Sequence, residues 1–229
     1  MIYPEQFLAV PASLEACEAA ASDAELSRAD DIRRQFCLDG TPMPYMVDIV
    51  RGFRLARGRR LYVEVGTRDK GNLAYASTLL ADDATLIDID IEECPENEAR
   101  LRRSLRRGQT YVKIVGDSVS PAVMDELRRA LDGRGADLIF CDSSHLYEHT
   151  LGEYALYKRL LREDGFLFFH DVFWEGNAQD KGKAQAIALI DRFDPVYAIF
   201  MTDPVHRWIP LSGKGDSWGG LGILCARNT

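Results

Sequence analysis

The sequence has no long apolar run and no paired cysteines, and each absence excludes a class of protein. No stretch approaches the roughly 20 apolar residues of a membrane-spanning helix, so no membrane partner is expected. The five cysteines are odd in number, scattered and without a C-x-x-C pair, which predicts neither a disulfide framework nor a zinc knuckle. We therefore expect a protein of the reducing cytoplasm.

Positive charge is also in short supply. The chain has 28 lysines and arginines against 36 aspartates and glutamates, which gives a net charge of −8 and a pI near 5.1. A nucleic-acid-binding protein normally presents a basic face to phosphates, so no nucleic-acid partner is expected. The basic cluster at 100–107 lies on a helical pattern and is interpreted as a solvated face.

The chain of 229 residues is long enough for one well-buried core, and from residue 61 onward predicted strands alternate with predicted helices. This order predicts right-handed βαβ units and a parallel sheet covered on both faces. Two final strand-like runs without a helix between them predict a hairpin. Strands are predicted over 61–65, 85–89, 111–115, 136–141, 166–169, 196–201 and 220–226. Helices are predicted over 13–36, 45–55, 74–80, 96–105, 122–131, 148–161 and 184–193.

The predicted fold is thus α/β, a Rossmann-like doubly wound and mostly parallel seven-stranded sheet with a C-terminal antiparallel hairpin. Residues 1–58 are expected to form an N-terminal helical cap within the same domain as residues 59–229. The connection at 202–219 is rich in Pro, Gly, Asp and Trp and is interpreted as a lid or specificity element.

The run Leu61–Asn72 joins an apolar strand, glycines and the start of a helix. Gly66 and Gly71 permit backbone angles or a close ligand approach that a Cβ forbids. Free backbone N–H groups then lie at the carboxyl end of the sheet, where nucleotide-like ligands bind. The run lacks G-x-G-x-x-G and the phosphate-binding loop of ATPases, which disfavours a nicotinamide oxidoreductase and an ATPase. Glu64 would repel a pyrophosphate and suits a cationic or neutral ligand, such as an adenosine compound that carries positive charge.

Acidic residues follow the later strands. Asp88 and Asp90 come about 20 residues beyond the glycine turn, where a ribose-binding carboxylate is expected. Asp88 stands between two isoleucines and needs a partner if it is buried, which a ribose diol would supply. Asp90 and Asp117 are as readily interpreted as helix N-caps. The next two strands end on Asp142 and on His170–Asp171.

These motifs together resemble those of the class I S-adenosylmethionine-dependent methyltransferases. The most specific piece, Ile139–Glu148, is similar to the I-D-G-x-H-x-Y-E stretch of small-molecule O-methyltransferases related to the macrocin O-methyltransferase and cephalosporin hydroxylase groups. Leu161–Val172 resembles their L-x-x-G-G-x-x-x-x-D-[DN] segment. Three further matches are Val63–Thr67 with Gly71–Asn72, Leu86–Asp90 and Val115–Ser118. The chain departs from the pattern at Lys70, at Ser143 and at His170, which stand for a glycine, a glycine and an acid.

The resemblance implies transfer of a methyl group from S-adenosylmethionine to a hydroxyl of a small molecule of sugar, polyketide or phenol type. The residues implied to hold this cofactor are Glu64, Gly66, Thr67, Gly71, Asn72, Asp88, Asp117, Ser118 and Asp142.

The resemblance also implies that Asp142 and Asp171 hold a divalent cation, with His170 as a third ligand. Carboxylates suit Mg²⁺. The histidine shifts the set toward manganese, iron or zinc, or signals that no metal binds. His145 is expected to take the proton of the acceptor hydroxyl beside Asp142, the alternative being a structural histidine bonded to a backbone carbonyl. His149 is interpreted as a surface or supporting residue.

Two alternatives stay open on the sequence. One is a metal-independent nitrogen or carbon methyltransferase in which His170–Asp171 is structural. The other is a non-catalytic protein that binds S-adenosylmethionine and presents the 202–219 connection to a partner. The alanine-rich N-terminal helices are candidates for packing on a second copy of the chain, so a homo-oligomer is also left open.

Overall fold

The computed structural model describes residues 12–36, 47–172, 181–199 and 220–226. The expected break at 39–44 and the 202–219 connection lie outside the described residues. Helices α1 to α8 span Glu15–Glu18, Asp23–Arg34, Val47–Gly52, Gly71–Leu79, Pro95–Ser104, Pro121–Leu131, Tyr147–Tyr157 and Lys181–Ile190. Strands β1 to β7 span Leu61–Val65, Thr85–Asp90, Thr110–Val115, Ala136–Cys141, Leu161–His170, Tyr197–Ile199 and Leu221–Cys225. Single 3-10 turns cover Ala12–Leu14, Phe53–Ala56 and Lys158–Leu160.

The strands in the described part of the chain form one sheet in the order β3-β2-β1-β4-β5-β7-β6. Strands β1 to β5 pair in parallel, whereas β7 runs antiparallel to both β5 and β6. The Rossmann-like α/β fold with a C-terminal antiparallel pair is therefore confirmed. The strand order reverses between β1 and β4, which is the switch point where open α/β sheets bind ligands.

Helices cover both faces of the sheet, and side chains alternate between these two faces along each strand. Tyr62, Phe140 and Phe168 belong to a core on the side of α1 to α5. Val63 and Ile139 belong to a second core on the side of α6 to α8. Strands buried on both faces explain the nearly continuous apolar runs in the sequence.

Several element boundaries differ from the sequence prediction, and two of the differences have a visible local cause. The expected helix at 13–36 is divided, because Ser22 caps α2 in a reciprocal capping box with Glu25. Strand β5 begins at Leu161, where a helix was expected to end. An irregularity in the β4–β5 register lets Leu161 pair with Ala136 before regular pairing resumes at Phe166.

Arg54 ties the N-terminal helices to the rest of the molecule. Its guanidinium donates to the carbonyls of Ala16 and Ala19 at 3.0 and 2.8 Å, and it pairs with Glu25 at 2.6 Å. The hydrogen bond from Arg54 lowers the pKa of Glu25 to about 2. The assignment of residues 1–58 as a cap of the same domain stays a prediction. Within the described ranges, no helix has the length and apolar character needed to cross a membrane.

Candidate active site

A cavity of about 660 Å³ opens at the carboxyl ends of the first four strands. Each strand contributes a residue to its wall: Gly66 follows β1, Asp90 ends β2, Gly116 follows β3 and Asp142 follows β4. The cavity also lies beside the switch point of the sheet, where ligands of this fold class bind. The strand ends thus meet at one site, as the alternating pattern predicts.

The turn after β1 fits only a glycine at residue 66. Gly66 has φ +80°, and a Cβ there would lie 2.3 Å from the carbonyl oxygen of Asp142 and 2.7 Å from the Cα of Ser143. The backbone N–H of Asp142 also donates to the carbonyl of Val65 at 2.8 Å. The turns after β1 and β4 are therefore in direct backbone contact, and this contact forms the floor of the cavity.

Asp88 is fully buried and does not line the cavity. Its carboxylate accepts hydrogen bonds from Thr67 Oγ1 and from the Tyr111 hydroxyl, both at 2.5 Å. It also forms ion pairs with the amino groups of Lys70 at 3.1 Å and Lys113 at 3.2 Å. The partner that a buried aspartate requires is thus supplied by the protein itself.

Lys70, unexplained by the family pattern, is the main counter-charge of Asp88. It has a left-handed φ of +70° immediately before α4, and its side chain is fully buried. Its amino group donates to Thr67 Oγ1 at 2.7 Å. Burial disfavours the charged amine, but the Asp88 carboxylate outweighs this and raises the pKa of Lys70. A position whose backbone angles suit glycine is therefore held by a lysine because the lysine pairs with Asp88.

Asp90 is the acid of β2 that reaches the cavity. It is partly exposed, and its carboxylate accepts from the backbone N–H of Arg68 at 2.7 Å and of Glu92 at 3.0 Å. The two backbone bonds fix the carboxylate beside the glycine turn and leave it accessible to a ligand.

Glu64 lies directly opposite Asp88 in the register of β1 and β2 and is almost completely buried. Its Oε2 accepts a hydrogen bond of 2.7 Å from the Tyr62 hydroxyl. Burial raises the pKa of Glu64 well above its ordinary value, and the Asp88 charge adds to this rise. Burial thus favours the protonated form of Glu64, whereas its neighbour Asp88 is paired with two lysines.

This pairing predicts a pH-dependent effect of Glu64→Gln on the free energy of unfolding. A carboxyl whose pKa is raised on folding stabilises the protein below its unfolded pKa of about 4.3, and the contribution is lost as pH rises through the folded pKa. Glutamine keeps an oxygen for Tyr62 and does not titrate. Between the unfolded and the folded pKa, the free energy of unfolding of the variant should therefore rise relative to that of the wild type by about 1.4 kcal/mol per pH unit. Urea unfolding between pH 5 and 8 would show this, and a constant difference would contradict it.

A hydrogen-bonded network supports the wall on the β3 side. Asp117, Ser118 and His149 line the cavity. Ser118 Oγ lies 2.9 Å from His149 Nε2 and donates to the buried carboxylate of Glu153 at 2.7 Å. Ser143 donates to the same Glu153 oxygen. The hydrogen bond to Glu153 raises the pKa of His149, and the histidine lines the cavity rather than the outer surface alone.

Asp142, His170 and Asp171 form a cluster whose ligand atoms all lie within 4.8 Å of one another. His170 Nδ1 lies 3.3 Å from Asp142 Oδ1 and 3.5 Å from Asp171 Oδ1. Burial would raise the pKa of Asp142, but the adjacent imidazole outweighs it and lowers that pKa. Burial would likewise lower the pKa of His170, but the two carboxylates raise it. The three residues predicted as metal ligands are thus brought together.

His145 adjoins this cluster. Its Nε2 lies 3.7 Å from Asp171 Oδ2, and one fifth of its side chain is exposed. Asp171 itself has φ +56°, in the left-handed region that aspartate adopts more readily than most other residues with a Cβ. The imidazole predicted as a base therefore lies next to the cluster rather than in the core.

The remaining predicted cofactor residues are not among those that line the cavity. Thr67 contacts Asp88, Gly71 begins α4, and the buried Oδ1 of Asn72 has no hydrogen-bond partner among the described residues. Sequence reasoning gave Glu153 no role. Its position one helical turn after His149 was the available signal, since residues four apart share a helix face.

The comparisons with known proteins agree with this architecture. Residues 63–172 match the model of a family described as a methyltransferase domain. No functionally curated protein matches the sequence.

Several solved methyltransferases share the fold. The O-methyltransferase TomG from Streptomyces achromogenes, involved in tomaymycin synthesis and solved with S-adenosylmethionine, is 15% identical with a TM-score of 0.58 over 91% of this chain and 92% of its own. An O-methyltransferase from Bacillus cereus, solved with S-adenosylhomocysteine, is 13% identical with a TM-score of 0.53 over 90% and 92%. MycE of the mycinamycin pathway, solved with Mg and S-adenosylhomocysteine, is 13% identical with a TM-score of 0.53 over 87% of this chain and 55% of its own.

The sheet order and the cavity at the switch point define a Rossmann-like ligand-binding fold. The family match to a methyltransferase domain then confirms the prediction made from the motifs. Residues 63–172 thus form a methyltransferase domain, with the fold that solved S-adenosylmethionine-bound O-methyltransferases such as TomG also have.

Proposed function

We propose that this enzyme transfers the methyl group of S-adenosylmethionine to a hydroxyl oxygen of a small molecule, beside a divalent cation. Asp142 carries the proposal because it both lines the cavity and belongs to the cluster with His170 and Asp171. A cofactor in the cavity and an acceptor at the cluster would meet at this residue. TomG and the Bacillus cereus protein, which share the fold, are both O-methyltransferases.

In this account the cavity holds the adenosine half of the cofactor. Asp90 takes the ribose-binding role first assigned to Asp88, because Asp90 lines the cavity and Asp88 is enclosed by lysines. Ile91, largely exposed at the cavity wall, offers an apolar surface to a flat base. Asp117 and Ser118 offer polar groups at the same end. Glu64, Thr67, Gly71 and Asn72 support the turn from behind.

S-Adenosylmethionine supplies a methyl group on a positively charged sulfur. The transfer is a direct displacement, so the protein mainly aligns the acceptor oxygen and excludes water. The backbone contact between Gly66 and Asp142 fixes the distance between the two half-sites. Rigid placement of this kind is worth several orders of magnitude in rate.

The donor set fits a divalent cation. Two carboxylates and one imidazole converge, and the atoms are close enough to share one ion. Asp142, Asp171 and His170 would hold it, and it would supply Lewis-acid polarisation of a hydroxyl. MycE, which shares the fold, was solved with Mg.

His145 is the proposed base. An imidazole titrates near neutrality and can take the proton that the acceptor oxygen loses on methylation. Asp171, 3.7 Å from its Nε2, would stabilise the imidazolium that forms. Asp142 would position the acceptor.

A small acceptor fits the charge of the chain. A net charge of −8 disfavours a nucleic-acid substrate, whose phosphates would be repelled. Hydroxylated sugars, polyketides and phenols are the proposed acceptor classes.

The ribose assignment predicts a specific loss of binding. We expect Asp90→Ala to weaken S-adenosylhomocysteine binding by roughly 10- to 100-fold, because hydrogen bonds to a charged group contribute about 1.5–3 kcal/mol. Glu92→Ala is the matched control, since it removes another cavity carboxylate two residues away. Isothermal titration calorimetry measures both. Equal affinities for the two variants would show that Asp90 does not bind the ribose.

Turnover is tested by measuring S-adenosylhomocysteine released from S-adenosylmethionine with a panel of phenols, hydroxylated polyketides and sugars. We expect at least one acceptor to support release that stops on chelation and returns with added metal. Cofactor binding without release from any acceptor would favour a non-catalytic binding protein. Release insensitive to chelation would favour a metal-independent enzyme.

A further inference from the structure

The second nitrogen of His170 faces a buried carboxylate outside the cavity. His170 Nε2 lies 3.5 Å from Oδ2 of Asp48, a fully buried residue of α3. Nε2 itself is buried and makes no hydrogen bond to any described residue, so its 3.5 Å contact with Asp48 is an ion pair without hydrogen-bond geometry. Asp48 lies outside the segment 63–172 that matches the methyltransferase domain and was not assigned any role from the sequence.

The Asp48 carboxylate is fixed by the backbone. Its Oδ1 accepts from the N–H of Ile49 at 2.8 Å, and its Oδ2 accepts from the N–H of Gly220 at 3.0 Å. Two backbone N–H groups, rather than other side chains, therefore hold the carboxylate in place. The ring of His170 is also packed beside Phe140, with ring centroids 5.9 Å apart. The imidazole is thus held with Nδ1 toward Asp142 and Asp171 and Nε2 toward Asp48.

This arrangement has a known chemical consequence. A histidine that binds a metal through one nitrogen almost always donates its other N–H to a carboxylate, carbonyl or water, which fixes the tautomer and increases ligand basicity. Mg²⁺ strongly prefers oxygen ligands, whereas an imidazole suits iron and the later transition metals, and Mn²⁺ binds to mixed nitrogen and oxygen sites. If a carboxylate stood in place of His170, Asp48 would repel it rather than orient it.

We propose that the cluster is built for an imidazole-binding transition-metal ion such as Mn²⁺ or Fe²⁺ in preference to Mg²⁺, with Asp48 as the positioning residue that orients His170. The inference rests on the proposed cation at Asp142, His170 and Asp171. It goes beyond that proposal by naming the metal class and a residue from the N-terminal region that selects it.

The test uses Mn²⁺ and Mg²⁺ on the full chain after chelation. Mn²⁺ binding is followed by electron paramagnetic resonance, and Mg²⁺ by its competition with Mn²⁺. Pulsed spectra of the Mn²⁺ complex should show coupling to a ¹⁴N nucleus in the wild type. His170→Glu should abolish that coupling and reduce the Mn²⁺ over Mg²⁺ preference by about tenfold or more. Asp48→Asn should weaken Mn²⁺ binding by about 10- to 100-fold with less effect on Mg²⁺.

His149→Gln is the control, because His149 is a half-buried histidine of the cavity outside the cluster and should leave the ¹⁴N coupling unchanged. The wild-type spectrum needs no variant, so a misfolded His170→Glu leaves the test intact. A Mn²⁺ complex without ¹⁴N coupling, or an Asp48→Asn variant with wild-type Mn²⁺ affinity, would overturn the inference. Calorimetry with S-adenosylhomocysteine on the same samples separates these outcomes from failure of the methyltransferase proposal.

Discussion

Gly66→Ala is expected to lower the free energy of unfolding by about 3–5 kcal/mol and to abolish cofactor binding. Two effects add. The left-handed backbone of Gly66 disfavours any residue with a Cβ by about 1–2 kcal/mol. The new methyl would also lie 2.3 Å from the Asp142 carbonyl, and backbone atoms on both sides cannot easily move. The turns after β1 and β4 would be pushed apart at the floor of the cavity.

Gly58→Ala separates the two effects. Gly58 has φ +72°, close to that of Gly66, but a Cβ there meets no atom within 4 Å. This variant should therefore lose only the roughly 1–2 kcal/mol of backbone strain and bind S-adenosylhomocysteine as the wild type does. Urea unfolding and calorimetry on both variants measure the difference. Similar stabilities for the two would show that the contact between the turns is not restrictive.

Lys70→Met is expected to destabilise the protein by about 3–5 kcal/mol, because it leaves Asp88 buried without its main counter-charge. Both members of the pair are fully buried, and their charged atoms are 3.1 Å apart. Methionine keeps most of the volume, so loss of charge and not of packing dominates the change. The measurement is the unfolding free energy in urea at neutral pH.

Lys113→Met is the matched control at the same carboxylate. Lys113 is 3.2 Å from Asp88, but here burial outweighs the pairing and the pKa of Lys113 is lowered, whereas that of Lys70 is raised. The control should therefore cost roughly 1 kcal/mol, less than Lys70→Met. If the control were the more destabilising change, Lys113 would be the principal partner of Asp88.

The alternation of apolar runs with helical patterns was sufficient to predict the fold from the sequence. Strands β1 and β4 are buried along their whole length, and such runs between glycine turns are distinctive. The ends of helices and strands could not be predicted where a local feature decided them. The capping box at Ser22 and the register irregularity before Phe166 each moved an element end.

The candidate site could be predicted where its residues directly follow predicted strands. Asp142, His170 and Asp171 come together because they end adjacent parallel strands, which the sequence pattern indicates. The choice between Asp88 and Asp90 could not be made, because it depends on where Lys70 and Lys113 place their charges. Side-chain pairing across elements leaves no spacing signal in a single sequence.

Residues that contact the site from distant elements could not be predicted from the sequence for the same reason. Asp48 approaches His170 from α3, more than a hundred positions earlier in the chain. Glu153 joins Ser118 and Ser143 from the helix predicted over 148–161, in which it was given no role. The role predicted for the 202–219 connection concerns residues outside the described ranges and stays a prediction.

A crystal structure with S-adenosylhomocysteine tests the central claim most directly. The account predicts adenosine in the cavity beside Ile91, ribose hydroxyls on the Asp90 carboxylate and the sulfur directed toward Asp142. Ribose hydroxyls on Asp88, or a ligand bound away from the Gly66 turn, would contradict it.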